Sequence, residues 1–139
     1  MVLVELELPV GVEAEARMAA LYEAGAEAGL VSDGVIATSE AQAAGLWQLR
    51  ETIPLANRRI GSVSSHDISL PLSEIPGFIE KAPAVIAPLG NFRVNCFGHL
   101  GDGNLHWNVF PAKGDTAARH QAVRDEVKAR VHDLVHGLG

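Results

Sequence analysis

Two histidines, His99 and His106, flank a Gly-Asp-Gly-Asn turn in the stretch Cys96-Phe97-Gly98-His99-Leu100-Gly101-Asp102-Gly103-Asn104-Leu105-His106-Trp107-Asn108-Val109. Asp-Gly between alternating apolar flanks is a strong hairpin signal, because a two-residue turn needs both central residues at positive φ. Centring the turn on Asp102 and Gly103 pairs Gly101 with Asn104, Leu100 with Leu105 and His99 with His106. Residues directly opposite in an antiparallel pair hold their Cβ atoms roughly 4.5–5.5 Å apart, a spacing at which two imidazoles can share one metal ion. Alternation then puts Phe97, His99, His106 and Asn108 on one face and Leu100, Leu105, Trp107 and Val109 on the other, the core side. A zinc site wants three or four ligands, so the same face also reads as two solvated or hydrogen-bonded histidines.

Four other places could carry chemistry. Arg50, late in a helix through Leu46-Trp47-Gln48-Leu49-Arg50-Glu51, has the planar fork that grips a carboxylate through two parallel bonds. Its plainer reading is a surface pair with Glu51. His132 and His136 have ligand spacing on the last helix, yet no glutamate accompanies them and Lys128 shares their face, which reads as solvated. A local hydrogen bond accounts for His66 beside Asp67. Cys96 falls on the core side by hairpin parity and reads as a buried, inert thiol. There is no G-x-G-x-x-G after a strand, no P-loop and no G-x-S-x-G elbow, hence no nucleotide cradle or serine nucleophile in these residues.

The elements that must position these groups follow from periodicity. Alternation over residues 2–8 predicts a strand; because it begins at Met1, the start reads as a cut rather than a natural terminus. A helix is expected over 12–28 and a short strand over 30–36, broken at Asp33-Gly34. Ser39 and Gln42 have capping-box spacing and open a helix carrying Leu46, Trp47, Leu49 and Ile53, which Pro54 kinks, ends or joins in its last turn. A strand passes through His66, Ile68 and Leu70, and Ser73 caps a short helix over 75–82. The hairpin takes 91–98 and 105–110. Asp115 caps a long helix with Val123, Val127, Val131 and Leu134 at helical spacing, stopped by Gly137. A helix stop so near residue 139 suggests a truncated chain. Helices alternating with strands plus one hairpin predict a single α+β domain over 1–139, an antiparallel or mixed sheet covered by helices, with ferredoxin-like elements.

Composition narrows the function classes. At 139 residues the chain can bury a core without disulfides or a structural metal. Its net charge of -6, with no basic stripe, excludes nucleic acid as a partner. The lone Cys96 rules out an internal disulfide and fits a reducing, cytoplasmic compartment. Glu5 and Glu7 interrupt the first apolar run, so no secretory leader is visible. No window approaches the roughly 18 consecutive apolar residues of a membrane span.

The run Gly98-His99-Leu100-Gly101-Asp102-Gly103-Asn104-Leu105-His106 resembles the G-H-x-G-D-G-N-x-H signature of the FAD-linked oxidases. More narrowly, it is similar to the C-terminal domain shared by D-lactate, glycolate and D-2-hydroxyglutarate dehydrogenases. The Leu3–Glu7 strand, the Leu46–Glu51 helix, His66-Asp67-Ile68-Ser69-Leu70-Pro71 and the last helix appear in family order, so the resemblance covers nearly the whole chain. It implies that His99 and His106 bind a divalent ion, zinc first among the candidates, that Asn108 faces substrate, and that Arg50 contacts a substrate carboxylate. It implies no catalytic residue within the chain. The third ligand, a glutamate, and the catalytic histidine after it belong to a Ser-Ala-Glu-His-Gly segment that follows the last helix in relatives. FAD is then held mainly by a domain N-terminal to this one in the same polypeptide.

In relatives acting on D-2-hydroxyglutarate, a threonine or serine one turn after the arginine and a lysine before the Asp-Ile-Ser-type strand also hold substrate. Here those positions are Pro54 and Ser65, which leaves a smaller or different 2-hydroxy acid open beside the diacid. The resemblance thus implies a fragment of a flavin-dependent 2-hydroxy-acid dehydrogenase, inactive alone, whose partners are a small 2-hydroxy acid and the FAD-binding domain. A homodimer through an uncovered sheet edge is a further expectation. The rival reading is a stand-alone, non-catalytic binding or interaction module of the same fold.

Overall fold

The computed structural model describes residues 2–139, apart from the side chain of Leu100; the expectations for Met1 and for Leu100 on the core face lie outside that range. The fold is α+β, with an antiparallel sheet, as the alternation of elements predicts. It comprises two compact units, Met1–Pro54 and Leu55–Gly139.

In the first unit, α1 (Ala14–Glu27) matches the expected helix, but neither 2–8 nor 30–36 is a strand. Alternation makes a strand only where a neighbour pairs with the backbone, and none of the three strands pairs with either segment. The amides of Leu30 and Val31 are instead spent on the Gly25 carbonyl, at 2.9 and 3.2 Å, folding the chain back over the end of α1. Gly29 makes that reversal in the left-handed region, at φ 69.

Helix α2 (Glu40–Ile60) opens as its spacing predicts. Ser39 Oγ accepts from the Gln42 amide at 3.3 Å, while Gln42 Oε1 accepts from the Thr38 amide at 2.8 Å, one residue outside the ordinary box. Pro54 does not end the helix, which runs on to Ile60. The partly buried positions are Ala43, Leu46, Trp47, Arg50, Ile53, Pro54 and Asn57. Spacings of three and four make them one stripe, and Arg50 stands on it.

The second unit is a three-stranded antiparallel sheet in the order β1-β3-β2, with β1 Ser64–Ser69, β2 Phe92–His99 and β3 Asn104–Pro111. Helices α3 (Ile75–Ile86) and α4 (Arg124–Leu138) supply Phe78, Ala82, Ile86, Val127 and Val131 to a core completed by Ile68, Leu105, Trp107 and Val109. Trp107 is fully buried and meets Phe78 edge to face at 5.9 Å between ring centroids. Helix α3 extends four residues past the expected end. It has Pro76 in its first turn and no cap from Ser73, whose hydroxyl points to Glu74. Asp115 does not open α4; its Oδ1 accepts from the adjacent Thr116 amide at 2.7 Å, ahead of a 3₁₀ segment over Ala117–Val123, and Gly137 lies inside α4 rather than stopping it.

The helix-covered face is not buried along its whole width. Cys96 does share its face with Trp107, its partner across the β2–β3 ladder, yet Cys96 is exposed. Strand β2 is an edge of the sheet, and α4 packs on the opposite edge, β1, so Val94 and Cys96 are left uncovered. Burial of part of its surface still pushes the Cys96 thiol above its ordinary pKa.

Candidate active site

The face of the sheet away from α3 and α4 is a polar grid of three rows. Ser65, Asn108 and Asn95 form one row, Asp67, His106 and Phe97 the next, and Ser69, Asn104 and His99 the last. Parity therefore places His99, His106, Asn108 and Phe97 together, as the sequence predicts, and Leu105, Trp107 and Val109 in the core. The register differs from expectation by two residues. His99 stands opposite Asn104, and the residue opposite His106 is Phe97, with ring centroids 5.0 Å apart. The two histidines are thus diagonal neighbours on adjacent strands, a relation in which Cα atoms lie about 7–8 Å apart.

The turn explains the shift. Residues 100–102 form a 3₁₀ turn, and only Gly103 has positive φ, at 72; Asp102 keeps negative φ. Asp102 acts through its side chain, its Oδ1 accepting from the Asn104 amide at 3.0 Å. Two glycines of the run are sterically required. A Cβ on Gly103 would strike the carbonyl oxygen of Leu70, and one on Gly98 would strike the carbonyl oxygen of Asn104. Gly101 meets nothing nearby.

Asn104 ties the hairpin to β1: its amide donates to Asp67 Oδ1 at 2.7 Å and to the Ile68 carbonyl at 3.3 Å. The same carboxylate oxygen lies 3.4 Å from His106 Nδ1. Asp67 is the functional candidate that sequence reasoning missed, by pairing it with its neighbour His66. Strand alternation was the available signal, since it sends Asp67 and His66 to opposite faces. Asn108 is buried, with its amide donating to the His106 carbonyl at 3.2 Å. Beside it, Asn57 of α2 reaches Asn95 at 3.5 Å.

His66 faces the core. Its Nε2 shares a 2.7 Å hydrogen bond with the buried Ser64 hydroxyl, and its Nδ1 has no partner among the described residues. Burial first, then the charges of His132 and Lys128, lower its pKa from 6.5 to about 4. His132 packs edge-on against this ring at 5.5 Å. Arg50 belongs to the first unit, with a side chain 17% exposed and Nη1 3.3 Å from Glu51 Oε1. The expected Glu51 pair is present, but the arginine is shielded rather than solvated.

The fit of a divalent ion can be judged from these donors. Among the described residues, no group of three or more His, Cys, Asp or Glu is gathered for a metal. Two imidazoles of the right chemistry do share one face, and His106 has Nδ1 3.4 Å from a carboxylate oxygen of Asp67. That is a half-site, fitting in donor type and short in number.

The family described as "FAD linked oxidases, C-terminal domain" matches residues 1–139. The chain belongs to this family. It is similar to a D-2-hydroxyglutarate dehydrogenase of Xanthomonas citri pv. viticola, 42% identical over 123 residues, or 87% of this chain and 26% of that protein. It is also similar to the mitochondrial D-2-hydroxyglutarate dehydrogenase of Arabidopsis thaliana, 45% identical over 87 residues, 63% of this chain and 15% of that one. A probable mitochondrial D-2-hydroxyglutarate dehydrogenase of Oryza sativa subsp. indica is 37% identical over 99 residues, 71% of this chain and 17% of that one. The chain spans about a quarter or less of the length of these curated relatives. Among the described residues, no helix is long and apolar enough to cross a membrane.

Proposed function

We propose that these residues form the substrate-side domain of a flavin-dependent 2-hydroxy-acid dehydrogenase and that the polar face of the sheet presents His99, His106 and Asn108 to the substrate. One observation carries the reading: in a chain of this family, the two signature histidines and Asn108 share a single face, held by the Asn104 and Asp102 bonds of the turn. His99 and His106 would hold a divalent ion, zinc by preference, with further ligands from residues outside this sheet. When bound, the ion supplies Lewis-acid polarisation of the substrate's hydroxyl and carboxylate oxygens, and FAD held by another domain supplies the hydride acceptor.

The chain's own residues bind and orient. Asn108 is fixed by its bond to the His106 carbonyl, so its carbonyl oxygen is available to accept from a substrate hydroxyl. Arg50, shielded on the α2 stripe, is the proposed carboxylate grip. Ser65, directly across from Asn108, offers a hydroxyl where a cation would hold a second carboxylate. The substrate class is therefore D-2-hydroxy acids, with D-2-hydroxyglutarate favoured by the relatives' names and D-lactate by Pro54 and Ser65. Anaerobic flavin reduction by each acid, in a protein carrying this domain joined to its FAD-binding domain, tests the reading and ranks the substrates. An oxidised flavin unchanged by every D-2-hydroxy acid contradicts it.

A further inference from the structure

The β1–β3 register sets Asp67 directly across from His106 on the polar face, with Phe97 directly across on the other side. The imidazole is thus flanked within its row by a carboxylate 3.4 Å from Nδ1 and by an aromatic ring at 5.0 Å. The carboxylate is itself held. Its Oδ1 accepts from Asn104, whose backbone amide is in turn fixed by Asp102, so one chain of contacts runs from the turn through β1 to the histidine ring. A contact this exposed adds little to stability, since the Asp67 side chain is 70% exposed. Its consequence is orientation: a carboxylate beside one ring nitrogen favours the tautomer with its N–H on that side and presents the other nitrogen as the basic one.

We propose that Asp67 is a positioning residue for His106, accepting from Nδ1–H, fixing the ring and leaving Nε2 as the lone-pair nitrogen that faces a ligand. The value of this arrangement to the domain rests on the reading of His106 as a metal or substrate ligand; the tautomer itself does not. Two-bond ¹H–¹⁵N correlation on the ¹⁵N-labelled 139-residue chain, at a pH where the imidazole is neutral, reads the tautomer directly. The expected result is Nδ1–H at His106, reverting to the Nε2–H form of free imidazole in Asp67→Ala and retained in Asp67→Asn, which keeps an acceptor oxygen at the same place. Nε2–H at His106 in the unsubstituted chain, or the same tautomer in Asp67→Ala, overturns the proposal. Zinc added to the same samples should move the His106 signals and bind about 10–100-fold more weakly in Asp67→Ala. Equal zinc binding by both chains also overturns it.

Discussion

The Asn104 side-chain amide donates to Asp67 Oδ1 at 2.7 Å, a bond between residues 37 apart in sequence that fastens the hairpin turn to β1. Asn104→Ala removes this bond and the second one to Ile68 together. The expected loss is about 1 kcal/mol, the net worth of a hydrogen bond that competes with water. Urea unfolding of the two chains checks it through a lower midpoint at unchanged slope. An unchanged midpoint would mean that the turn is held by its backbone alone.

His66 makes stability depend on pH. Its folded pKa, near 4, lies below the ordinary imidazole value of 6.5, so between those values the unfolded chain takes up a proton that the folded chain refuses. Stability is therefore fully present above about pH 6.5 and falls as pH drops toward 4, by at most about 1.4 kcal/mol per pH unit from this group. The surroundings give the proton no help, for Ser64 occupies Nε2, and His132 and Lys128 of α4 bring only like charge. His66→Gln should flatten the slope between pH 6.5 and 4.5 in denaturant titrations. An equal slope in both chains would place the pH dependence elsewhere.

The glycines of the signature should separate cleanly. Gly103→Ala combines a positive φ with a clash against the Leu70 carbonyl and should cost about 2 kcal/mol or more, whereas Gly101→Ala, with open space around it, should stay within about 0.5 kcal/mol. Thermal unfolding of the two variants compares them directly. Equal losses would show that the turn is not held as described.

Much of this was legible in the sequence where one face meets a core. Period-two alternation assigns His99, His106 and Asn108 to one face whatever the register, because a two-residue slip preserves parity. The register was not legible, since it depends on a 3₁₀ turn that the Asp-Gly pair does not announce. Residues 2–8 alternate as well as β1 does, but pairing is a long-range event and no local pattern reports it. Cys96 failed for a related reason: parity gives the face, while burial depends on whether a helix covers that edge. Arg50 and the Asp67–His106 pair differ in the same way. A helical stripe is periodic in one segment, but a cross-strand carboxylate becomes visible only once β1 and β3 are aligned.

The role proposed for His99 and His106 is to hold the metal of a metal-assisted oxidation of a 2-hydroxy acid. Anaerobic flavin reduction, in a protein joining this domain to its FAD-binding domain, tests it most directly when run before and after chelation and in His106→Ala. The expected result is rapid bleaching of the oxidised flavin by a D-2-hydroxy acid, lost on chelation, restored by zinc, and reduced at least about 100-fold in His106→Ala, the range seen when a group that stabilises transition-state charge is removed. Flavin reduction that survives both chelation and His106→Ala would contradict it.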